Sequence, residues 1–545
     1  MKNTTLLAML LVVGLGATAC SGDSEPHDPT EGTQGADHEE ARRYVEDYDE
    51  QADMDGAGAP APSTTLKESA ADAGVGVEPV PVPPIPPGPG EDNTFTDVGE
   101  TVWVRAQEDP QSTFALDVDT GSYRVAHAMV AEGLAPEPDS IRVEEWVNAF
   151  EYGDQAPEDT ALGLQVETGA APRAAEGTAL VRVGVSSVEI ADEDRPQANI
   201  TFVVDTSGSM DIRNRLGLVQ SSLALLVDSL NPDDTIAIVI YGDEATPLLE
   251  PTRVADRDTI INAIEDLRPG GSTNMEAGLR MGYSQARTAH VEDGINAVVL
   301  ASDGVANVGV SDGGALAEEI AGAGEEGIHL VTVGYGMGNY NDTLMEQLAN
   351  QGDGFYAYLD TFEEAEQLFV EDLTETLTVV ARDAKSQVEF DPEFVESYRL
   401  IGYQNRALED DEFRDDTVDA GELGAGHQVS ALYELVPTGA VTDGTVVGEA
   451  RLRWADPDSG ETTEVNAPIE WSQAEATDAL QLAALVADSA ELLKGNSIVS
   501  ERGFTLKDLR EEAETLAGSD VAGIEDLLDL LDEDLRAPVP YEERD

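Results

Sequence analysis

Cysteine is almost absent from this sequence. The 545 residues contain one, Cys20, so no disulfide can form within the chain and a cysteine-rich zinc site is excluded. The six histidines are scattered, and no HExxH spacing occurs. We therefore expect no zinc enzyme and interpret the histidines as surface or satisfied core residues.

Basic residues are also scarce. Lys and Arg number 30 against 110 Asp and Glu, which gives a formal net charge of −80, and only five of the basic residues are lysines. Such a chain repels nucleic acid and anionic membrane surfaces, so DNA and RNA are not expected as partners. A saline habitat and the acidic proteome of a high-GC genome explain this composition equally well.

Long apolar runs are missing after the N-terminus, so no later segment is expected to span a bilayer. The chain opens MKNTTLLAMLLVVGLGATAC, which has the layout of a signal peptide over residues 1–19. ATAC followed by SGDSE resembles a bacterial lipobox, which implies acylation of Cys20. Membrane contact through a lipid anchor only is therefore expected, in the cell envelope. Ser21 resembles an outer-membrane sorting signal and favours the outer membrane or cell surface.

The composition changes along the chain and predicts six segments. Residues 20–92 are rich in acidic residues, Gly, Ala and Pro and predict a disordered tether. The other five segments are a signal peptide (1–19), an N-terminal flanking region that contributes strands to a sandwich (93–195), an α/β domain (196–380), a β-sandwich region (381–474) and a helical C-terminal region (475–545).

The fold class follows from how apolar residues alternate with helical stretches between 196 and 380. Short aliphatic runs such as ITFVVD, TIAIVIYGD, NAVVLASDG and IHLVTVGYG are separated by amphipathic stretches. This pattern predicts a doubly wound, mostly parallel sheet covered on both faces. The strand-like segments on both sides, 163–190 and 385–453, predict one antiparallel β-sandwich into which the α/β domain is inserted.

Oxygen-bearing side chains gather at the expected carboxyl edge of that sheet. Asp205, Ser207 and Ser209 alternate directly after the first strand, Asp303 follows a second strand, and Thr273 lies in a glycine-flanked loop that enters a helix. Hydroxyls and carboxylates are hard donors, and this set suits Mg²⁺ with one coordination position left open. Mn²⁺ or Ca²⁺ could take its place.

These five residues, in this order on an α/β pattern, resemble the von Willebrand factor type A (VWA) domain and its metal-ion-dependent adhesion site. The resemblance covers residues 199 to about 375. The flanks, including STFALDVDTGSY and VEFDPEFVESYRLIGYQNR, resemble those of a group of bacterial VWA lipoproteins. The resemblance implies a protein partner that offers an acidic side chain to the open position of the metal.

ALDVDTG supports a competing interpretation, because it resembles the first motif of haloacid dehalogenase-like phosphatases. Asp117 would then be the nucleophile and Asp119 the acid. That chemistry requires a lysine in the same domain, and none lies between Lys67 and Lys385. The alternative role of both residues is to cap a turn between strand and helix.

The sequence thus predicts a non-enzymatic, acylated envelope protein that binds a ligand through a metal-dependent adhesion site. A structural envelope scaffold with a vestigial metal site is the alternative, and a phosphatase using Asp117 and Asp119 is the weaker third reading.

Overall fold

The part of the chain that the structure describes folds around three β-sheets. The computed structural model describes residues 38–48, 93, 95–116, 118–304, 313–337, 341–418, 420–457, 459–517, 523–531 and 535. From Glu40 onward these residues belong to one compact unit. The predicted signal peptide, Cys20, most of the predicted tether and Asp117 lie outside the described residues.

Strands occur along most of the described part of the chain. In chain order they are β1 (Val104–Arg105), β2 (Gln111–Ala115), β3 (Leu162–Ala170), β4 (Ala179–Ser187), β5 (Ala198–Asp205), β6 (Thr235–Tyr241), β7 (Ala245–Arg253), β8 (Ile295–Ser302), β9 (His329–Tyr335), β10 (Tyr356–Leu359), β11 (Val379–Phe390), β12 (Val395–Ile401), β13 (Ala407–Leu408), β14 (Gly421–Gly424), β15 (Gln428–Pro437), β16 (Val446–Ala455) and β17 (Thr462–Glu470).

The α-helices lie before, between and after these strands. They are α1 (Glu39–Glu46), α2 (Gly121–Ala131), α3 (Val143–Asn148), α4 (Leu218–Ser229), α5 (Arg257–Glu265), α6 (Met275–Thr288), α7 (Gly313–Glu325), α8 (Asp342–Gln351), α9 (Phe362–Glu366), α10 (Leu373–Leu377), α11 (Asp478–Lys494), α12 (Ser497–Ser500), α13 (Leu506–Ala517) and α14 (Ile524–Leu530). Among the described residues, no helix combines the length and the apolar character needed to cross a membrane.

One sheet forms the α/β part and has the strand order β10-β9-β8-β5-β6-β7. Its pairs are parallel except β6 with β7, which is an antiparallel edge pair. Every residue of β5 and β8 is buried, because separate apolar clusters cover the two faces of the sheet. The predicted doubly wound, mostly parallel fold is therefore confirmed, and continuous burial explains why its strands read as uninterrupted apolar runs.

The other two sheets are antiparallel and form a sandwich. Their strand orders are β1-β12-β15-β4-β3 and β13-β2-β11-β16-β17, with β14 beside β11. Strands from before and after the α/β part pair directly, β4 with β15 and β2 with β11. Aromatic rings meet between the sheets, since Phe390 lies 4.6 Å from Tyr398 and 5.4 Å from Tyr433, centroid to centroid. The α/β part is thus inserted into a sandwich built from both flanks.

The C-terminal helices complete the unit. Thr477 begins α11 by accepting a hydrogen bond from the Leu480 N–H, and Gly495 ends it in the left-handed conformation at φ 84°. Helices α11, α13 and α14 share an apolar cluster with α2 and α3. The predicted helical C-terminal element is therefore packed against the N-terminal flanking region.

Helix α1 corrects the prediction that residues 20–92 are a disordered tether throughout. Ala41 is 1% exposed, and its carbonyl accepts a hydrogen bond of 2.7 Å from Ser221 of α4. The average composition of 20–92 concealed this segment. Within it, Ala41, Tyr44 and Tyr48 provide enough apolar surface to pack against the α/β core.

Candidate metal centre

The candidate site lies where the strand order of the α/β sheet reverses. Asp205 is the last residue of β5, which pairs with β6 on one side and β8 on the other. Asp303 follows the last residue of β8 and therefore reaches the same edge. Open α/β sheets bind ligands at such a point, outside the carboxyl ends of the strands.

The Asp205 carboxylate is held by hydrogen bonds to both of its oxygens. Oδ1 accepts from the Ser207 backbone N–H at 2.8 Å, and Oδ2 accepts from the Ser302 and Tyr241 hydroxyls at 3.0 and 3.3 Å. Complete burial, and then the nearby Asp303 carboxylate, raise the pKa of Asp205 to about 6. A cation placed between the two acids would favour their charged forms.

The predicted hydroxyl ligands are brought to the same edge. The Oγ atoms of Ser207 and Ser209 lie 3.0 Å apart. Thr273 is 2% exposed in the loop before α6. That loop is fixed by backbone hydrogen bonds, from the Gly270 N–H to the Thr206 carbonyl at 2.5 Å and from the Asn274 N–H to the Gly242 carbonyl at 3.0 Å.

Glycines allow this loop to approach the ends of β5 and β6. Gly271 has φ +94°, a conformation that disfavours other residues. A Cβ on Gly242 would lie 2.8 Å from the Gly270 carbonyl oxygen. The GGSTN motif therefore positions Thr273 by permitting two backbones to lie in close contact.

A buried arginine joins three loops of the site. Arg215 Nη1 donates to Asp303 Oδ2 at 2.8 Å and to the Ser209 carbonyl at 2.6 Å, while Nη2 donates to the Met337 carbonyl at 2.6 Å. Its side chain is 4% exposed. Arg215 neutralises one of the two site acids, which leaves the pair of carboxylates and this arginine with a net charge of −1.

The sequence prediction did not include Ser302, Tyr241 or Arg215. Ser302 and Tyr241 occupy the ends of the strands that flank β5, so the end of each predicted strand was a usable signal. Arg215 had a weaker signal. It stands ten residues after Asp205 at the start of an apolar helix, where a basic residue has no evident partner in the sequence.

The structure changes the interpretation of Asp119. Its Oδ1 accepts the Tyr356 N–H of β10 at 3.0 Å, and its Oδ2 accepts from Arg406 at 3.2 Å. Both of these partners are distant in sequence, and Thr120, at the start of α2, makes no side-chain capping bond. The prediction that Asp119 caps a turn did not include these distant partners. At 2% exposure and paired with arginine, it is also poorly placed to act as a catalytic acid.

Asp119 belongs to a second group of buried carboxylates. One oxygen from each of Asp119, Glu145 and Glu346 lies within 4.8 Å of the others. Two arginines compensate part of this charge, because Arg142 pairs with Glu145 and Arg406 with Asp119. We interpret the group as an ion-pair network that joins the N-terminal flanking region to α8.

Comparisons with known proteins agree with this architecture. The family of the von Willebrand factor type A domain matches residues 199–371, a family described as von Willebrand factor matches 89–182, and one described as uncharacterized protein YfbK, C-terminal, matches 375–535.

Individual relatives match different lengths of the chain. The uncharacterized protein YfbK of Escherichia coli is 34% identical over 441 residues, which are 76% of each chain. The human inter-alpha-trypsin inhibitor heavy chain H3 is 27% identical over 168 residues, 29% of this chain and 18% of that protein. A solved von Willebrand factor type A structure from Catenulispora acidiphila is 17% identical, with a TM-score of 0.41, and the match covers 72% of this chain and 96% of that one.

None of these relatives carries the name of an enzyme. The VWA match coincides with the α/β part that carries Asp205 and Asp303, and the match to the YfbK C-terminal family covers residues 375–535 after it. The chain therefore belongs to the YfbK family of VWA domain proteins.

Proposed function

We propose that this protein is a lipid-anchored envelope protein that binds a protein ligand through a divalent cation held by its VWA domain. The observation that carries the proposal is the convergence of Asp205, Asp303 and the paired hydroxyls of Ser207 and Ser209 at the strand-order reversal. No enzymatic activity is part of this proposal.

The residues at this edge fit a hard divalent cation. Asp205, Ser207, Ser209, Thr273 and Asp303 supply only oxygen donors, the type that Mg²⁺, Mn²⁺ and Ca²⁺ prefer. The net charge of −1 that remains beside Arg215 favours a cation. When bound, the ion would offer a coordination position to an acidic side chain of the partner.

The rim of the site supports a protein ligand. Ile212 is 45% exposed, three residues after Ser209, and is one of the few large apolar side chains exposed among the described residues. An apolar side chain beside a metal-bound carboxylate would add a contact that a free inorganic anion cannot use.

Thermal unfolding of the full chain with Mg²⁺ or EDTA tests the metal site. Mg²⁺ at about 100 times its Kd should stabilise the protein by about 2.7 kcal/mol. Asp205→Ala should lose this increment, and Ser207→Ala should lose less because it removes a neutral ligand. Asp258→Ala, at an exposed position on α5, is the matched control and should respond as wild type does. Equal melting temperatures with Mg²⁺ and EDTA in wild type would refute the metal site.

The anchor is proposed from the sequence alone. Cys20 is the only thiol and follows a signal-like apolar run. Cys20→Ala should therefore move the protein from the membrane fraction to the soluble fraction after cell lysis, whereas Ser21→Ala should leave it membrane-bound. Retention of the Cys20→Ala protein on membranes would contradict the anchor without affecting the metal site.

One observation favours the scaffold as a second candidate function. Arg215 already connects the Ser209, Asp303 and Met337 loops with protein atoms alone. A vestigial site could keep its shape in this way. Isothermal titration with Mg²⁺ and Mn²⁺ separates the two functions, since the scaffold requires no binding of either ion.

A further inference from the structure

A polar cavity lies where the chain enters and leaves the VWA domain. It has a volume of about 590 Å³, and both Pro196 and Val380 line it. That volume is within the range of small-molecule sites. The N-terminal ends of β8 and β9, at Ile295 and His329, also line the cavity, so it lies at the edge of the sheet opposite to Asp205 and Asp303.

Arg382 lines this cavity and lacks an ion pair with the described carboxylates, which is unusual in so acidic a protein. Its Nη2 makes a 3.3 Å hydrogen bond to His329 Nε2, while its Nε is buried with no hydrogen-bond partner. A buried N–H group without an acceptor costs free energy that an anion would recover.

His329 does not neutralise that arginine. The ring is fixed by a 2.7 Å hydrogen bond between Nδ1 and the Asp353 carbonyl, which requires the proton on Nδ1 and leaves Nε2 to accept from Arg382. Burial and the neighbouring arginine lower the pKa of His329 to about 4, so the ring is neutral at pH 7. The positive charge of Arg382 therefore remains uncompensated by this contact.

Thr378 provides a second unpartnered group in the same wall. Its side chain is 7% exposed, and its Oγ1 is buried without a hydrogen-bond partner. Thr378 and Arg382 are four residues apart in sequence, and both line the cavity. A hydroxyl and a guanidinium on one wall match the two oxygens of a carboxylate.

The remaining lining defines what kind of anion fits. Val188, Ile190, Ile295 and Leu377 give the cavity an apolar part. The acidic lining residues are exposed at its rim and would repel a multiply charged phosphate more strongly than a single carboxylate. These rim residues are Asp293, Glu326 and Asp456.

We propose that the cavity beside Arg382 and Thr378 binds a small organic monocarboxylate, with the carboxylate on the guanidinium and the apolar body against the aliphatic wall. This site is independent of the metal centre and of the proposed adhesive function. The carboxylate would bind at the junction between the VWA domain and the sandwich.

Isothermal titration of the full chain with acetate, butyrate, benzoate and octanoate tests the proposal. EDTA is present throughout, so that no carboxylate can bind through a metal at Asp205. At least one acid should bind saturably, and octanol should not. Arg382→Gln should weaken that binding at least tenfold, because a charged hydrogen bond is lost. Arg268→Gln is the matched control and should bind as wild type does, since Arg268 donates to the Glu265 and Leu267 carbonyls and does not line this cavity.

Three outcomes would overturn the proposal. The first is that no acid binds saturably at about 10 mM, the weak limit for a specific site. The second is that Arg382→Gln binds the acid with the same affinity as wild type. The third is that octanol binds as tightly as octanoate. If Arg382→Gln does not fold, Ile190→Glu replaces it. This half-buried residue lines the cavity, and an added carboxylate there should produce the same tenfold loss. Unchanged affinity in Ile190→Glu would equally refute a monocarboxylate site.

Discussion

Single buried charges determine the properties of the candidate metal centre. Asp205 and Asp303 are both 0% exposed, yet Arg215 pairs only with Asp303. Buried ion pairs contribute little net stability when complete, but removal of one partner is costly because the other charge stays buried. Arg215 is therefore the residue on which the metal-free form of the site depends most.

We expect Arg215→Met to lower the free energy of unfolding in EDTA by about 3 kcal/mol, since Asp303 loses its buried partner. Saturating Mg²⁺ should then recover more stability in this variant than it adds to wild type, because the ion replaces the missing positive charge. Urea unfolding with EDTA and with Mg²⁺ measures both effects. Arg253→Met removes an exposed ion pair with Asp233 and should cost less than about 1 kcal/mol. An Arg215→Met midpoint equal to that control in EDTA would contradict the argument.

The pKa of Glu375 predicts that the stability of the protein depends on pH. Glu375 is remote in sequence from the metal ligands. Burial, and then the nearby acids Asp372 and Glu151, raise its pKa to about 7, above the ordinary value of 4.5. The folded protein thus holds a proton that the unfolded chain releases, so this group's contribution to stability is complete below pH 4.5 and is lost as the pH rises through 7.

Glu375→Gln should therefore raise the melting temperature at pH 8 and leave it almost unchanged at pH 4.5. After allowance for solvent screening of this half-buried group, the expected gain at pH 8 is about 1 kcal/mol. Differential scanning fluorimetry across this pH range measures the difference, and Glu371→Gln, at an exposed neighbouring position, serves as control. A gain of the same size at both pH values would show that charge at Glu375 is not its cause.

Among the elements, helix α1 packs against the VWA domain. Arg42 lies 4.0 Å above the Phe362 ring and pairs with Glu363 at 2.8 Å. The Tyr48 hydroxyl donates to Asp211 at 3.0 Å, two residues after Ser209. A helix of eight residues is too short to be stable alone, so these contacts maintain it.

Ala41→Asp should detach α1, because it buries a carboxylate with no partner in the contact with α4. Trypsin should then cleave after Arg42 and Arg43 many times faster than in wild type, while the VWA domain stays resistant. Mass spectrometry of the early fragments measures this. Glu46→Ala, at an exposed position on the same helix, should leave cleavage slow. Equal rates in Ala41→Asp and wild type would show that α1 does not depend on this contact.

At the scale of the whole molecule, charge opposes folding. The formal net charge of −80 produces self-repulsion that compact packing increases and salt screens. The screening length falls from about 10 Å at 0.1 M salt to about 3 Å at 1 M. Much of the repulsion between surface carboxylates should therefore disappear over that range.

The melting temperature at pH 7.5 should rise when NaCl is increased from about 0.1 M to 1 M. The same comparison near pH 4.1, the isoelectric point calculated from the sequence, is the control, because most of the net charge is then absent and the increase should largely vanish. Calorimetry at the two pH values measures the effect of NaCl on the melting temperature. An equal salt effect at both would assign it to general salting-out instead of charge repulsion.

The sequence alone determined the parts of this protein that depend on local pattern. Aliphatic runs separated by helical stretches predicted the α/β sheet, since buried parallel strands need apolar residues on both faces. The same pattern predicted which edge would hold Asp205, Ser207, Ser209 and Asp303, because the carboxyl ends of parallel strands meet there. It also predicted that strands on either side of the VWA domain would pair.

Only the tertiary structure decided which distant residues touch. Three hydrogen bonds join positions far apart in the chain: Arg215 to Asp303, Tyr356 to Asp119, and Ser221 to helix α1. Pairing register and helix docking select such partners, and a shift of one residue along a strand would move its side chains to the opposite face of the sheet. The cavity beside Arg382 has the same origin. It exists because an inserted domain leaves space at its two connections, and no stretch of sequence specifies that space.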